Sequence, residues 1–276
     1  FEKRLQELDS PQNLPLSLIM SDLDGLKIVN DTFGYALGDE ILRKTAAILA
    51  ENCRPGDLVA RWGGDEFVIL LPKTDLSEAA ALGGHIAAAF RDQRVRTVPI
   101  SISLGWDAKD APNQTISEVL QEAEAHMSRV KLYQSPGIRR EMIDVLMATL
   151  YEKDPREEKH CERVSSLSGL LGRALGLSVS EIKELEIAGL FHDIGKVSIP
   201  EHILSKPGSL SEEEWEEITR HPEVGYRVLS SVQDMAHVAQ YVLSHHERWD
   251  GKGYPHGLQG EEIPLQSRII AIVDAY

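Results

Sequence analysis

Hydrophobic positions change their period part-way along the chain. In the first half, the dense apolar run Leu16–Leu23 ends in Asp22-Leu23-Asp24-Gly25 and predicts a buried strand presenting carboxylates at its C-terminal end. Gly38-Asp39 opens a segment with apolar residues at Ile41, Leu42, Ile48 and Leu49, which is helical spacing. Residues 58–62 and 67–71 are β-rich runs around Gly63-Gly64-Asp65-Glu66, the pattern of a hairpin. Residues 77–90 read as an Ala-rich helix, 98–104 alternate as a strand, and 116–133 are helical. The sum is an α/β domain, a central sheet flanked by helices.

Ser135-Pro136-Gly137 breaks this pattern and is the linker candidate, giving domains at 1–135 and 136–276. Beyond it the period is helical almost throughout: 139–151, 157–175, 180–192, 212–230, 235–246 and a last segment from about Ser267. Ser178-Val179-Ser180-Glu181 and Ser209-Leu210-Ser211-Glu212-Glu213-Glu214 place Ser and Glu where helix N-termini favour them. The second domain therefore reads as all-α.

Length supports this division, because 276 residues suit two domains of roughly 100 to 150 residues. A hydrophobic fraction of 42% and a charged fraction of 26% exclude collagenous and wholly disordered chains. The net charge of -15 argues against a duplex nucleic acid partner, which needs clustered Lys and Arg, so any phosphate handled belongs to a small ligand. Cys53 and Cys161 cannot build a disulfide framework and suit a reducing compartment. No run approaches the ~18 to 20 apolar residues of a membrane span. Of ten histidines, only His85 and His126 precede residue 137, so the two halves should differ in chemistry.

In the first half, Asp22 and Asp24 share a strand face, and the hairpin turn can bring Asp65 and Glu66 opposite them. Converging carboxylates suit Mg²⁺, and Gly63 and Gly64 leave backbone open to phosphates. Lys27 and Lys131 can neutralise phosphate, while Asn30 and Asp39 suit a base edge. Taken together, the segment from Asp22 to Asp31, then Gly38-Asp39, then Arg61-Trp62-Gly63-Gly64-Asp65-Glu66-Phe67 resembles the GGDEF family of diguanylate cyclases across residues 1 to 135. That resemblance implies condensation of two GTP into cyclic di-GMP by two such domains, hence a homodimer. It assigns Mg²⁺ to Asp22, the Leu23 carbonyl and Asp65, with Glu66 as the adjacent acid. It assigns Lys27 and Lys131 to the triphosphate and Asn30 and Asp39 to guanine. Arg54-Pro55-Gly56-Asp57 matches the family's inhibitory product site through Arg54 and Asp57. Tyr35, His85 and Ser135 depart from residues common in the family.

In the second half, imidazoles and carboxylates without cysteine suggest a mixed N,O site for Fe or Mn, ahead of Zn. His202, His237 and His256 read as ordinary structural histidines. Adjacent His245 and His246 would point about 100° apart on a helix, one as ligand and the other behind it. The ordered set His192-Asp193, Lys196, His221, His245-His246, Gly251-Lys252-Gly253-Tyr254-Pro255, Arg268 and Asp274 resembles the HD-GYP phosphodiesterases across 138–276. The resemblance implies metal-dependent hydrolysis of cyclic di-GMP to pGpG and GMP. His192, Asp193, His221, His245, His246 and Asp274 would be ligands, and Lys196 would compensate phosphate charge. Gly253, Tyr254, Pro255 and Arg268 would contact substrate. Some members hold a third metal through a Glu at the position of Arg156, so a binuclear centre is expected here. The whole reads as a cytoplasmic bacterial signalling fragment, cut at both ends, with a sensor or receiver domain upstream. A hydrolase whose first domain only binds GTP or product is the alternative.

Overall fold

The computed structural model describes residues 1–276, with side chains at every position except 133–136, 138 and 233. Helix α1 (Glu2–Leu8) precedes strand β1 (Leu16–Leu23), which is buried at every position, as its unbroken apolar run demands. Helices α2 (Leu26–Phe33) and α3 (Tyr35–Asn52) follow, then β2 (Leu58–Gly63), β3 (Glu66–Pro72) and α4 (Leu76–Phe90). The short pair β4 (Arg94–Val95) and β5 (Val98–Pro99) leads into β6 (Ile102–Lys109) and helix α5 (Ile116–Lys153). The sheet is antiparallel in the order β2-β3-β1-β6, so β1 is central and its carboxylate end lies between β3 and β6. Leu16, Leu18, Met20, Val68 and Leu70 meet Val119, Ala123 and Met127 of α5 in one core.

Three local details differ from the sequence reading. The segment after Asp24-Gly25 is a helix, α2, entered through Gly25 at φ +78°, and Gly34 at φ +82° separates it from α3. The strand expected at 98–104 splits at Ile100-Ser101, and β6 runs on to Lys109. Gly105 permits this, since a Cβ there would stand 2.0 Å from the Met127 backbone nitrogen. The expected linker Ser135-Pro136-Gly137 lies within the helical backbone of α5 rather than in a loop. The side chains of Ser135 and Pro136 lie outside those described.

Contacts divide the chain into two units, Phe1–Asn30 with Gly34–Arg139, and Arg140–Tyr276 with Asp31–Phe33. In the second, α6 (Pro155–Ala174) is capped by Asp154, and α7 (Val179–Phe191) by a Ser178/Glu181 capping box. After α8 (Glu201–Leu204), the helix expected at 212–230 is two, α9 (Glu212–Ile218) and α10 (His221–Ser230), with Pro222 in the first turn of α10. Helices α11 (Ala236–Leu243) and α12 (Leu265–Asp274) complete the unit. Glycines set the crossings: a Cβ on Gly189 of α7 would stand 3.0 Å from Ser165 Cα of α6, and one on Gly195 2.0 Å from the His221 carbonyl oxygen. Gly195 thus serves close backbone approach.

Candidate metal centre and nucleotide sites

Helix ends deliver the donors of the second unit. His192 and Asp193 follow α7, His221 opens α10, His245 and His246 follow α11, and Asp274 ends α12. These side chains form two groups, His160 with His192, Asp193 and Asp274, and Asp193 with His221, His245 and His246; within each group, donor atoms lie within 4.8 Å of one another. Asp193 belongs to both. Its Oδ2 stands 3.0 Å from His192 Nε2, its Oδ1 3.2 Å from His221 Nε2, and that Oδ1 is buried with no hydrogen-bond donor. His160 Nε2 lies 2.9 Å from Asp274 Oδ1.

The imidazoles are aimed alike. Nδ1 of His192, His221 and His245 lies 2.8, 2.7 and 2.5 Å from the carbonyl oxygens of Gly189, Ile218 and Val242, each three residues earlier. A ring that donates from Nδ1 keeps Nε2 as the coordinating nitrogen, pointed inward. Burial opposes charge on His192, yet Asp193 and Asp274 reverse this and raise its pKa to about 10. Burial and the neighbouring imidazoles hold His245 well below its usual value, and burial followed by His221 lowers His246 to about 4. Together the two groups offer imidazole nitrogens and carboxylate oxygens around one shared aspartate, a donor set that fits divalent metal.

Lys196 Nζ bridges Asp193 Oδ2 at 2.6 Å and Glu157 Oε1 at 3.0 Å. Burial opposes its charge, but Asp193 and Glu157 raise its pKa above the usual lysine range. Glu247, 5% exposed, accepts from the His256 and Leu258 amides at 2.7 and 3.0 Å and anchors the Gly253-Tyr254-Pro255 loop. The Tyr254 ring thereby lies 4.8 Å from that of His246. A Cβ on Gly253 would stand 2.5 Å from Glu247 Cα, which only glycine avoids.

One expectation changes here, and Arg268 finds its surroundings. His245 and His246 lie in a turn after α11, not on a helix, and both offer a nitrogen to the same group. Arg268 sits over the Trp249 ring at 5.7 Å and lines an apolar cleft with Leu171, Leu265 and Ile272. His160 was absent from the candidate ligands. The signal that could have found it is Glu157 and His160, three apart on one face of α6.

In the first unit, Asp22 pairs across the sheet with Glu66 and with Ser103, while Leu23 N–H donates to the Asp65 carbonyl at 3.0 Å. The structure thus sets Asp22, Leu23, Asp65 and Glu66 at one sheet end. Burial raises the Asp22 pKa, opposed by Lys131, whose Nζ is 2.7 Å from Asp22 Oδ1. Asp24 accepts from the Ser103 and Ser101 hydroxyls, each at 2.9 Å. Gly64, at φ +37°, is clasped by Arg61, whose Nε donates to its carbonyl at 2.9 Å. Gly63 is the exposed irregularity of the β2/β3 pairing.

Lys27 and Asp39 are exposed, on α2 and α3, and Asn30 Oδ1 is buried without a partner. Asp39, Arg43, Arg61 and Phe67 line a 420 Å³ cleft. At the expected product site, Arg54 N–H donates to Asp57 at 2.9 Å, and the guanidinium reaches Thr74 Oγ1, closing the motif on itself. These two line a smaller cleft of 160 Å³ with Asn52 and Glu78.

Comparison with known proteins matches residues 1–135 to the diguanylate cyclase GGDEF domain and residues 144–276 to the HD domain. The cyclic di-GMP phosphodiesterase response regulator RpfG of Xanthomonas campestris pv. campestris is 42% identical over 139 residues, covering 50% of this chain and 37% of that protein. The 3'3'-cGAMP-specific phosphodiesterase 1 of Vibrio cholerae is 44% identical over 135 residues, 49% of this chain and 31% of that protein. The cyclic di-GMP phosphodiesterase PA4108 of Pseudomonas aeruginosa is 32% identical over 248 residues, 88% of this chain and 53% of that protein. The chain spans between about a third and about half the length of these relatives. It is a tandem of a GGDEF domain followed by an HD domain.

Proposed function

We propose that the HD domain hydrolyses cyclic di-GMP to pGpG and GMP, and that the GGDEF domain condenses two GTP into cyclic di-GMP. The observation that carries the first reading is the pair of four-residue donor groups sharing Asp193. His160, His192, Asp193 and Asp274 would hold one divalent ion, and Asp193, His221, His245 and His246 a second, with iron or manganese favoured by the mixed donors. Ions held there supply Lewis acidity toward a phosphate oxygen and acidify water. The chain's own groups position the substrate. Lys196 spends two of its three N–H donors on Asp193 and Glu157 and keeps one for a phosphate oxygen. Gly253, Tyr254 and Pro255 stand on the rim, with Tyr254 against His246, and Arg268 would act from the neighbouring cleft.

In the GGDEF domain, Asp22, the Leu23 carbonyl and Asp65 would hold Mg²⁺, with Glu66 beside them. Lys27 and Lys131 would take the triphosphate, Lys131 exchanging Asp22 for phosphate oxygens. Gly63 and Gly64 would admit those phosphates to the backbone, and Asn30 and Asp39 would read guanine. Arg54 and Asp57 would bind product after Arg54 releases Thr74. Joining two GTP needs two such domains face to face, hence a homodimer, and GTP as substrate places both domains in the cytoplasm. No helix among the described residues is long and apolar enough to cross a membrane. We place the domain boundary between residues 135 and 136.

A second reading keeps hydrolysis and makes the GGDEF domain a GTP- or product-binding regulator. It is favoured by PA4108, which matches across 88% of this chain and is named only as a phosphodiesterase. One assay separates the two: incubate the chain with GTP and Mg²⁺, and separately with cyclic di-GMP and Mn²⁺, then chromatograph the nucleotides. Cyclic di-GMP from the first and pGpG from the second support both activities. Product from the second alone supports the regulator, and no pGpG overturns the hydrolase.

A further inference from the structure

Beside the metal-ligand groups the structure has an aromatic pair that ligand chemistry does not use. The Tyr254 ring lies 4.8 Å from His246 and 6.5 Å from His221. Beyond it, 6.3 Å from Tyr254 and nearly perpendicular, stands Trp215, with 52% of its surface exposed. Half of the indole is therefore open to a ligand while the rest packs near Tyr254.

The indole is also held in place. Ser211 accepts from the Glu214 amide while Glu214 accepts from the Ser211 amide, fixing the first turn of α9, and Lys206 Nζ binds Glu214 at 2.6 Å. Trp215 lies six residues before His221, and the Tyr254 ring lies 6.3 Å from the indole and 6.5 Å from the His221 imidazole. Its neighbours Glu212, Glu213, Glu216 and Glu217 are carboxylates that repel phosphate. What this surface offers a nucleotide is therefore the flat ring. In order outward from the ligands come Tyr254 and then Trp215, the order in which a nucleotide presents phosphate, sugar and base.

We propose that Trp215, backed by Tyr254, is a stacking platform for one purine base of the cyclic dinucleotide, a binding residue distinct from the metal ligands. This rests on the hydrolase reading above. Stacking of a base on an aromatic side chain contributes about 1 to 3 kcal/mol and is tolerant of base identity. The platform thus serves cyclic di-GMP and 3'3'-cGAMP alike, and discrimination between them must come from elsewhere.

The test compares W215A, W215L and W215F in the metal-loaded full chain. With cyclic di-GMP, W215A and W215L raise KM by about tenfold, the effect of losing one stacked base, with kcat within about twofold of the parent; W215F stays near the parent KM. Leucine supplies apolar bulk without a π-face, so a role that needs only apolar contact would be largely met by W215L. Indole fluorescence of the parent is quenched on adding cyclic di-GMP, and the quench is lost in W215A. Retention of the parent KM in W215A and W215L, or of the quench in W215A, overturns the platform while leaving hydrolysis standing. Quenching without any nucleotide product overturns the hydrolase reading and leaves the platform standing.

Discussion

At the scale of single residues, His160 shows where sequence reasoning stops. It stands on α6 among Glu157, Glu158, Lys159 and Glu162, a setting that reads as a solvated helix face. Only the return of α12 brings Asp274 to within 2.9 Å of it and makes it a donor. Four of the other candidate ligands stand out as dense local pairs, His192-Asp193 and His245-His246, while His221 and Asp274 were legible only through the ordered motif set to which they belong. His160→Ala should therefore strip one donor group while sparing the other. Elemental analysis should show bound metal falling from two ions to about one per chain, with phosphodiesterase activity down by at least about tenfold. An unchanged metal content would remove His160 from the ligand set.

At the scale of elements, β1 and β3 were legible from runs of buried apolar residues, and β1 emerges with the bounds its pattern predicts. Helix α2 was not, because Asp22-Leu23-Asp24-Gly25 reads as a strand end and the next eight residues carry no cap that announces a helix. The single helix expected at 212–230 breaks at Thr219-Arg220, a division that Pro222 signals but the apolar spacing obscures. The close crossings are where an element has no slack. Gly195→Ala would place a methyl 2.0 Å from the His221 carbonyl oxygen, displacing α10 and the ligand it opens with. Thermal or urea unfolding should show the second domain destabilised by about 2 kcal/mol or more, the scale of overpacking in a close-packed interior. Gly137→Ala, where a Cβ meets nothing within 4 Å, should lack that penalty.

At the scale of the whole molecule, the asymmetry in histidine content has a chemical counterpart. The first unit gathers carboxylates at a sheet end, and the second gathers imidazoles at helix ends. The change of hydrophobic period marks both units. If the two sites work independently, Asp65→Ala should abolish cyclic di-GMP synthesis and leave hydrolysis intact. The double change His192→Ala with Asp193→Ala should do the reverse. Nucleotide chromatography on both variants checks this, and loss of both activities in either one would show the sites to be interdependent.

The three carbonyl contacts behind the imidazoles have a consequence for how such a site tolerates change. Gly189, Ile218 and Val242 each orient a ring three residues later through their main-chain oxygen, which every amino acid possesses. The aim of each nitrogen is thus written into one turn of backbone and not into the identity of any side chain around it. Surrounding residues can drift without re-aiming the donors, so long as the helix ends still meet. Heritable variation in this domain should accordingly be freer beside the imidazoles than at the glycines where its helices cross.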